Sequence, residues 1–459
     1  MHLIMLSGGS GQRLWPLSNH VRSKQFLKIL DGIDGRKESM VQRVYRQLKE
    51  VGGWDSVSVV AGITQREQII SQLGTEVNLI VEPDRRDTFP AIALACSYLY
   101  SEKKIRPDEN VVVLPIDSYV ENEYFEKLED ISKVLDSNDV ELVLLGAVPV
   151  KPSEKYGYIV PKRQDNSNHN LKTQSHNKNQ EFNVAYFKEK PELKTAEQLI
   201  QNGALWNCGV FGLKLGYVFD ILKEKYGTTD FSFNNLQKSF KNLKKTSFDY
   251  EVVEKAENIK VIKYQGQWKD LGTWETLTEE LGEATIGNAT IDCLCTNTHI
   301  INELDVPVIA MGIQDSVVVA SHDGILVANK GETYRLKEFS GITMGRPMCE
   351  ERRWGKYIVL EHGQSSEGQE VLTKRLHIHT GKQISYQYHN HRKEVWTIVG
   401  GFGELYLEDK IYEVKCGDVI VIEPKMKHGI KAIQELEIIE VQMGDQLIEE
   451  DIIRLELEW

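Results

Sequence analysis

The chain opens Met1-His2-Leu3-Ile4-Met5-Leu6-Ser7-Gly8-Gly9-Ser10-Gly11-Gln12-Arg13-Leu14-Trp15-Pro16-Leu17-Ser18 and continues to Lys24-Gln25-Phe26-Leu27. Leu3 to Leu6 is an unbroken apolar run, as expected of a strand buried on both faces. A glycine-rich turn follows directly. Gly8, Gly9 and Gly11 let the backbone bend sharply with N–H groups aimed at an anion. Arg13 adds a forked, permanent cation, and Lys24 adds a second. Strand, glycine turn and spaced cations together describe a cradle for a triphosphate. The turn has neither the Gly-Lys-Ser/Thr ending of a Walker loop nor the third glycine of a dinucleotide fingerprint. A glycine cluster alone is equally well a strand-to-helix turn that needs glycine only for its geometry.

Outward from this stretch, short apolar runs alternate with helical patterns as far as residue 280. Val57 to Ala61, Leu79 to Val81, Val111 to Leu114 and Leu142 to Leu145 read as buried strands. Met40, Val41, Val44, Tyr45 and Leu48 share one helix face, as do Ile92, Ala95, Cys96 and Leu99. The expectation is an α/β, Rossmann-like domain over 1–280, its mostly parallel sheet covered by helices. Polar residues 163–180 lie between strand-like Tyr158 to Val160 and Val184 to Phe187 and predict a long hairpin tip with solvated His169 and His176. Over 281–348, short β pieces separated by turns predict a small β-helix-like module. Residues 349–459 return to alternating strands and predict an antiparallel β-barrel.

The 459 residues carry 55 basic and 68 acidic side chains, a formal charge of −13. That balance argues against nonspecific nucleic-acid binding and against anionic membranes. No apolar stretch approaches a membrane span. Met1 leads straight into a core strand and not into a signal peptide, and the six scattered cysteines read as reduced thiols, so a cytoplasmic location is expected.

The chemistry-bearing residues fall into groups. Asp117 stands just past a buried strand, where ligands of open α/β sheets collect, and Asp270 lies in Trp-Lys-Asp-Leu-Gly-Thr-Trp. Either alone is more often a turn or helix cap; together they suit Mg²⁺, which takes a few carboxylates plus phosphate oxygens. In Glu82-Pro-Asp-Arg-Arg86-Asp-Thr88-Phe-Pro, a proline opening a helix would aim its N-terminus at an anion or a base edge. Glu189 can accept from two hydroxyls, and Lys190 can meet a phosphate. Gly157 and Gly209 permit close approach, and Asn207 offers a donor and an acceptor. Towards the C-terminus, Gln387-x-His389-x-His391-x-x-Glu394 and a later His428 fit a mononuclear transition-metal site, because 387, 389 and 391 share a face in a strand.

The ordered set over residues 1–280 resembles sugar-nucleotide pyrophosphorylases, in particular mannose-1-phosphate guanylyltransferases. The matching segments are the glycine turn with Arg13 and Lys24, the Glu82–Pro90 stretch, Phe187-Lys-Glu-Lys-Pro, Tyr156-Gly157-Tyr158, Trp206-Asn207-Cys208-Gly209 and Ser247-Phe-Asp249-Tyr250. The chain departs from that pattern at Ser23, Ser118 and Asp87. The resemblance implies GMP transfer from GTP to mannose 1-phosphate, giving GDP-mannose and pyrophosphate. Mg²⁺ would be held by Asp117 and Asp270, with Arg13 and Lys24 on the pyrophosphate. Gly8, Gly9, Gly11, Arg13, Glu82, Arg86 and Thr88 would bind the nucleotide. Gly157, Glu189, Lys190, Asn207 and Asp249 would bind the sugar phosphate.

The C-terminal segment, with Arg392 and Trp396, resembles the cupin domain of type II phosphomannose isomerases. That implies Zn²⁺ or another divalent transition metal on Gln387, His389, Glu394 and His428, with His391 as a replacement ligand, and a second activity as mannose-6-phosphate isomerase. Lys427-His428-Gly429-Ile430 and the Glu-Leu-Glu-Trp459 end depart from those isomerases. A homo-oligomer, specifically a dimer, is expected. Another sugar-1-phosphate nucleotidylyltransferase and a non-catalytic sugar-nucleotide sensor stand as the alternatives.

Overall fold

The computed structural model describes residues 1–8, 12–137, 140–162, 181–343, 345–448 and 451–456. The expected hairpin tip at 163–180, with His169 and His176, and the glycines Gly9 and Gly11 lie outside the described residues. The chain forms two compact units. The first holds residues 1–10, 24–66 and 72–282, and the second holds 11–23, 67–71 and 283–459.

The first unit is built on a nine-stranded sheet. Its order is Asn78–Glu82, Ser56–Gly62, His2–Ser7, Asn110–Pro115, Leu205–Lys214, Leu142–Ala147, Ile259–Tyr264, Glu181–Lys188 and Tyr158–Pro161. The first four strands pair in parallel. Glu181–Lys188 and Leu205–Lys214 run against the rest, each paired antiparallel with its neighbours. The buried runs Leu3 to Leu6, Val57 to Ala61, Leu79 to Val81 and Val111 to Leu114 lie in the four parallel strands, Leu142 to Leu145 lies beyond Leu205–Lys214 and antiparallel to it, and every residue of His2–Ser7 is buried. Main-chain groups pair within the sheet while the side chains are removed from water on both faces.

Helices Met40–Val51, Thr88–Ser101 and Asn122–Ser137 belong to this unit. Ser39 starts the first with a reciprocal capping box, its hydroxyl accepting from the Gln42 N–H while Gln42 accepts from the Ser39 N–H. Thr88–Ser101 is apolar almost all round because one side meets the sheet and the other meets the helices Leu215–Tyr226 and Phe233–Ser239.

The second unit has two parts. Strands Thr285–Ile286, His299–Asn302 and Ser316–Ser321 stack in parallel, as do Ala289–Ile291 and Val308–Ala310, giving the short β-helix-like module. Beyond it, a six-stranded and a five-stranded antiparallel sheet enclose a common core around Leu372, Trp396, Ile398, Leu405, Ile430 and Ile438. This is the barrel of the cupin type.

Residues 11–23 pack inside the second unit. Ser321 donates to the Pro16 carbonyl, Asn19 donates to Asp323, and Arg22 reaches Glu303 with two parallel bonds of 3.0 and 2.9 Å. All six cysteines are free. Among the described residues no helix is long and apolar enough to cross a membrane.

Candidate functional site

Asp117 follows the strand Asn110–Pro115, as the sequence predicts for a ligand-facing position. Asp270 is brought to it by a two-stranded antiparallel ribbon that pairs Trp268–Asp270 with Ser118–Val120, Asp270 opposite Ser118. Lys24, on the short 3-10 turn Lys24–Phe26, lies between them. Its Nζ is 3.0 Å from Asp117 Oδ2 and 2.5 Å from Asp270 Oδ1. Burial alone would lower the ammonium's pKa; the charges of Asp117 and Asp270 outweigh it and raise the value. Two carboxylates on one side of a strand end form a donor set of the kind a hard dication takes, and both are about a third exposed, so phosphate oxygens and water can reach them.

On the other side of the first strand lies a cleft of about 510 Å³, lined by Ser7, Gly8, Gly62, Glu82, Arg86 and Thr88 among others. Gln25 fastens its floor by donating to the Ser7 hydroxyl and the Gly8 carbonyl. Asp87 takes a positive φ of 69° and caps the helix Thr88–Ser101 through the Thr88 N–H. Pro90 falls inside the first turn of that helix. Arg86 donates to the Leu243 carbonyl and stands 3.3 Å from Asp84. Burial pushes the Glu82 carboxyl up to about 7. Arg13 sits exposed on the 3-10 turn Gln12–Leu14 and is grouped with the second unit.

A third group forms where Leu205–Lys214 breaks register between Asn207 and Phe211. Gly209, with φ 69°, makes this irregular turn, and its N–H donates to Asn207 Oδ1. Asn207 Nδ2 donates to Asp249 at 2.7 Å, and Lys190 meets Glu189 at 2.6 Å. A Cβ on Gly157 would stand 2.4 Å from the Glu189 carboxylate and 2.6 Å from the Phe187 ring, so only glycine fits there. Burial, then the charge of Glu189, pushes the Asp249 carboxyl up to about 7. The five residues expected to bind sugar phosphate are linked in this way. Tyr156, Trp206 and Trp268 pack edge-on beneath them.

In the barrel, His389, Glu394 and His428 are buried, with ligand atoms within 4.8 Å of one another. His389 Nδ1 lies 3.0 Å from the Asp451 carbonyl and His428 Nδ1 lies 3.0 Å from the Met426 carbonyl. Each ring therefore donates from Nδ1 and turns the lone pair of Nε2 inward. Both Nε2 atoms are buried without a hydrogen-bond partner, 3.2 and 3.5 Å from the Glu394 oxygens. Main-chain orientation of the imidazoles and orphaned inward nitrogens are what a transition-metal site requires, so the donor set fits such an ion. Gln387, opposite His428 in register, is buried at the same strand end.

His391 does not join this set. The strand ends at Tyr388, so the period-2 rule lapses before 391; that residue is exposed. Sequence reasoning missed Glu440 and Gln442, the inward residues of the strand Leu436–Gly444. Gln442 donates to Glu394 and Glu440, and Trp396 donates to both carboxylates. The signal was the alternation along that strand.

The nucleotidyl transferase family model matches residues 2–285. The chain belongs to the nucleotidyl transferase family. The model of the mannose-6-phosphate isomerase C-terminal domain matches residues 348–457. The chain is 29% identical to "Mannose-1-phosphate guanylyltransferase" of Salmonella montevideo, covering 98% of each. It is 27% identical to "Mannose-1-phosphate guanylyltransferase" of Escherichia coli K12, covering 99% of this chain and 97% of that one. A crystal structure of "mannose-1-phosphate geranyltransferase" from Thermus thermophilus aligns at 25% identity and a TM-score of 0.59, over 74% of this chain and 98% of that one. The chain is therefore a nucleotidyltransferase enzyme with an isomerase-like C-terminal domain.

Proposed function

We propose that the protein transfers GMP from GTP to mannose 1-phosphate, releasing pyrophosphate. The observation that carries this is the pairing of Asp117 and Asp270 around Lys24, beside the cleft that begins at Gly8. The full-length similarity to guanylyltransferases supports the choice of GTP and mannose 1-phosphate.

Mg²⁺ on Asp117 and Asp270 would supply charge neutralisation for the phosphates. The remaining work is positioning. Glu189, Asn207 and Asp249 hold the sugar hydroxyls, and Lys190 holds the sugar phosphate so that its oxygen attacks the α-phosphorus in line. Arg13 and Lys24 take the charge of the departing pyrophosphate. Gly8, Gly9, Gly11, Glu82, Arg86 and Thr88 line the nucleotide. No covalent enzyme intermediate is required. Residues 1–280 act as the catalytic domain, 281–348 as the connecting module and 349–459 as the barrel; the working form is a cytoplasmic dimer. The test is pyrophosphate release with each nucleoside triphosphate and a panel of sugar 1-phosphates in Mg²⁺. Turnover confined to another triphosphate or sugar overturns this reading.

A second activity, isomerisation of mannose 6-phosphate, is favoured by one observation: the two inward, unpartnered imidazole nitrogens beside Glu394. Zn²⁺ or another divalent transition metal on His389, Glu394, His428 and Gln387 would polarise a sugar oxygen. A coupled mannose 6-phosphate assay on wild type and His428→Ala tests it. A wild type with no signal after zinc addition rules it out.

A further inference from the structure

The cleft has a wall that the sequence did not announce. Lys245 lines it, facing the same space as Glu82, Arg85 and Thr88. Three hydrogen bonds fix the segment carrying Lys245 onto the segment carrying Glu82 to Phe89. Arg86 donates to the Leu243 carbonyl at 2.9 Å, the Phe89 N–H to the Thr246 carbonyl at 3.2 Å, and the Phe248 N–H to the Thr88 hydroxyl at 2.8 Å. These bonds flank position 245 on both sides, so Lys245 does not belong to a free loop. Its ammonium has no hydrogen bond or ion pair among the described residues. Of the two guanidiniums on this wall, Arg85 and Arg86, the second is already taken by Leu243 and Asp84.

Sheet order decides which end of a nucleotide this wall meets. Asp117 and Asp270 gather beyond the strand Asn110–Pro115, which lies next to His2–Ser7. Glu82 ends the strand Asn78–Glu82, on the far side of His2–Ser7. The two ends are three strand spacings apart, about 14 Å. A triphosphate whose α-phosphorus sits by the carboxylates therefore crosses Gly8 with its ribose and puts its base against Glu82 and Lys245. Guanine offers keto O6 and N7, both acceptors; adenine offers an amino donor in place of O6. An ammonium at this edge meets two acceptors in guanine but only N7 in adenine, whose amino group faces it as a donor.

We propose that Lys245 is a specificity-determining residue that donates to the O6 and N7 edge of a bound guanine. This rests on the proposed use of GTP.

The experiment compares full-length wild type, Lys245→Met and Lys245→Arg. It measures kcat/KM with GTP and ATP, KM for mannose 1-phosphate, and calorimetric binding of GDP. Lys245→Met is expected to lower kcat/KM for GTP about tenfold, the size of one lost charge-assisted bond, and to change ATP by less than threefold. KM for mannose 1-phosphate and the melting temperature stay as in wild type, and Lys245→Arg recovers most of the loss. An unchanged GTP to ATP ratio in Lys245→Met overturns the proposal, and so does an equal loss with both nucleotides, which would put the ammonium on phosphate or ribose. Wild type that turns over no GTP but binds GDP with Lys245-dependent affinity would refute the proposed reaction and leave this contact standing. Wild type that does not bind GDP refutes both.

Discussion

Asp117 and Asp270 share one ammonium, and each keeps an edge open to solvent. Replacing either carboxylate with the isosteric amide keeps the shape and removes a charge. Asp117→Asn and Asp270→Asn should each lower kcat by roughly 10²–10³ with little change in melting temperature, in line with losing one charge-stabilising group. Near-normal turnover at saturating Mg²⁺ would remove that residue from the site. Asp249 makes a prediction of a different kind. Its folded pKa is about 7 because it is buried beside Glu189, against about 3.8 unfolded. Between those values the unfolded chain loses the proton while the folded protein keeps it. Stability from this group is therefore full below about pH 4 and declines as pH rises towards 7. Asp249→Asn should gain melting temperature relative to wild type across that window. A constant difference from pH 4 to 7 would show that Asp249 ionises alike in both states.

Among the elements, the buried strands of the sheet were legible because a strand buried on both faces must be apolar at every position. Leu142 to Leu145 is the clearest case, and the structure extends it only to Ala147. The ribbon of Ser118–Val120 and Trp268–Asp270 was not legible, since three residues carry no period and its partner is distant in the chain. That ribbon is what brings the two aspartates together, so the residues could be named but not their meeting. The barrel site shows the same divide. His389, Glu394 and His428 follow from spacing and motif, whereas the end of the strand at Tyr388, which puts His391 outside, depends on where a turn begins. The Lys245 wall was hidden because its placement rests on hydrogen bonds between segments about 160 positions apart, each with a main-chain partner that no side-chain pattern announces. At this scale the purified protein should hold about one transition metal per chain, and His389→Ala and His428→Ala should each lower that ratio strongly, since the set of Gln387, His389, Glu394 and His428 has no ligand to spare. Metal analysis by mass spectrometry decides it. Equal metal content in all three proteins would place the ion elsewhere.

For the whole molecule, the family match over residues 2–285 does not coincide with one packing unit, because residues 11–23 and 67–71 within it belong to the second unit. Residues 11–23, which include Arg13, draw their partners from Glu303, Ser321 and Asp323. A fragment of residues 1–285 keeps the strands of its sheet and loses every one of those bonds. Its kcat/KM for GTP should fall at least tenfold, about the effect of one misplaced catalytic cation, while its circular dichroism stays that of a folded α/β protein. A fragment as active as the full chain would show that the loop needs no such support.

The same packing sets an order in time. Asn19 is made long before its partner, since the bond from Asn19 to Asp323 spans 304 positions. At synthesis rates of about 5–20 residues per second, that span takes roughly 15–60 s. Through that interval the nascent sheet can form around His2–Ser7 while residues 11–23 have nothing to pack against. A nascent chain that stops before Asp323 therefore lacks the bonds that hold residues 14–22 in place.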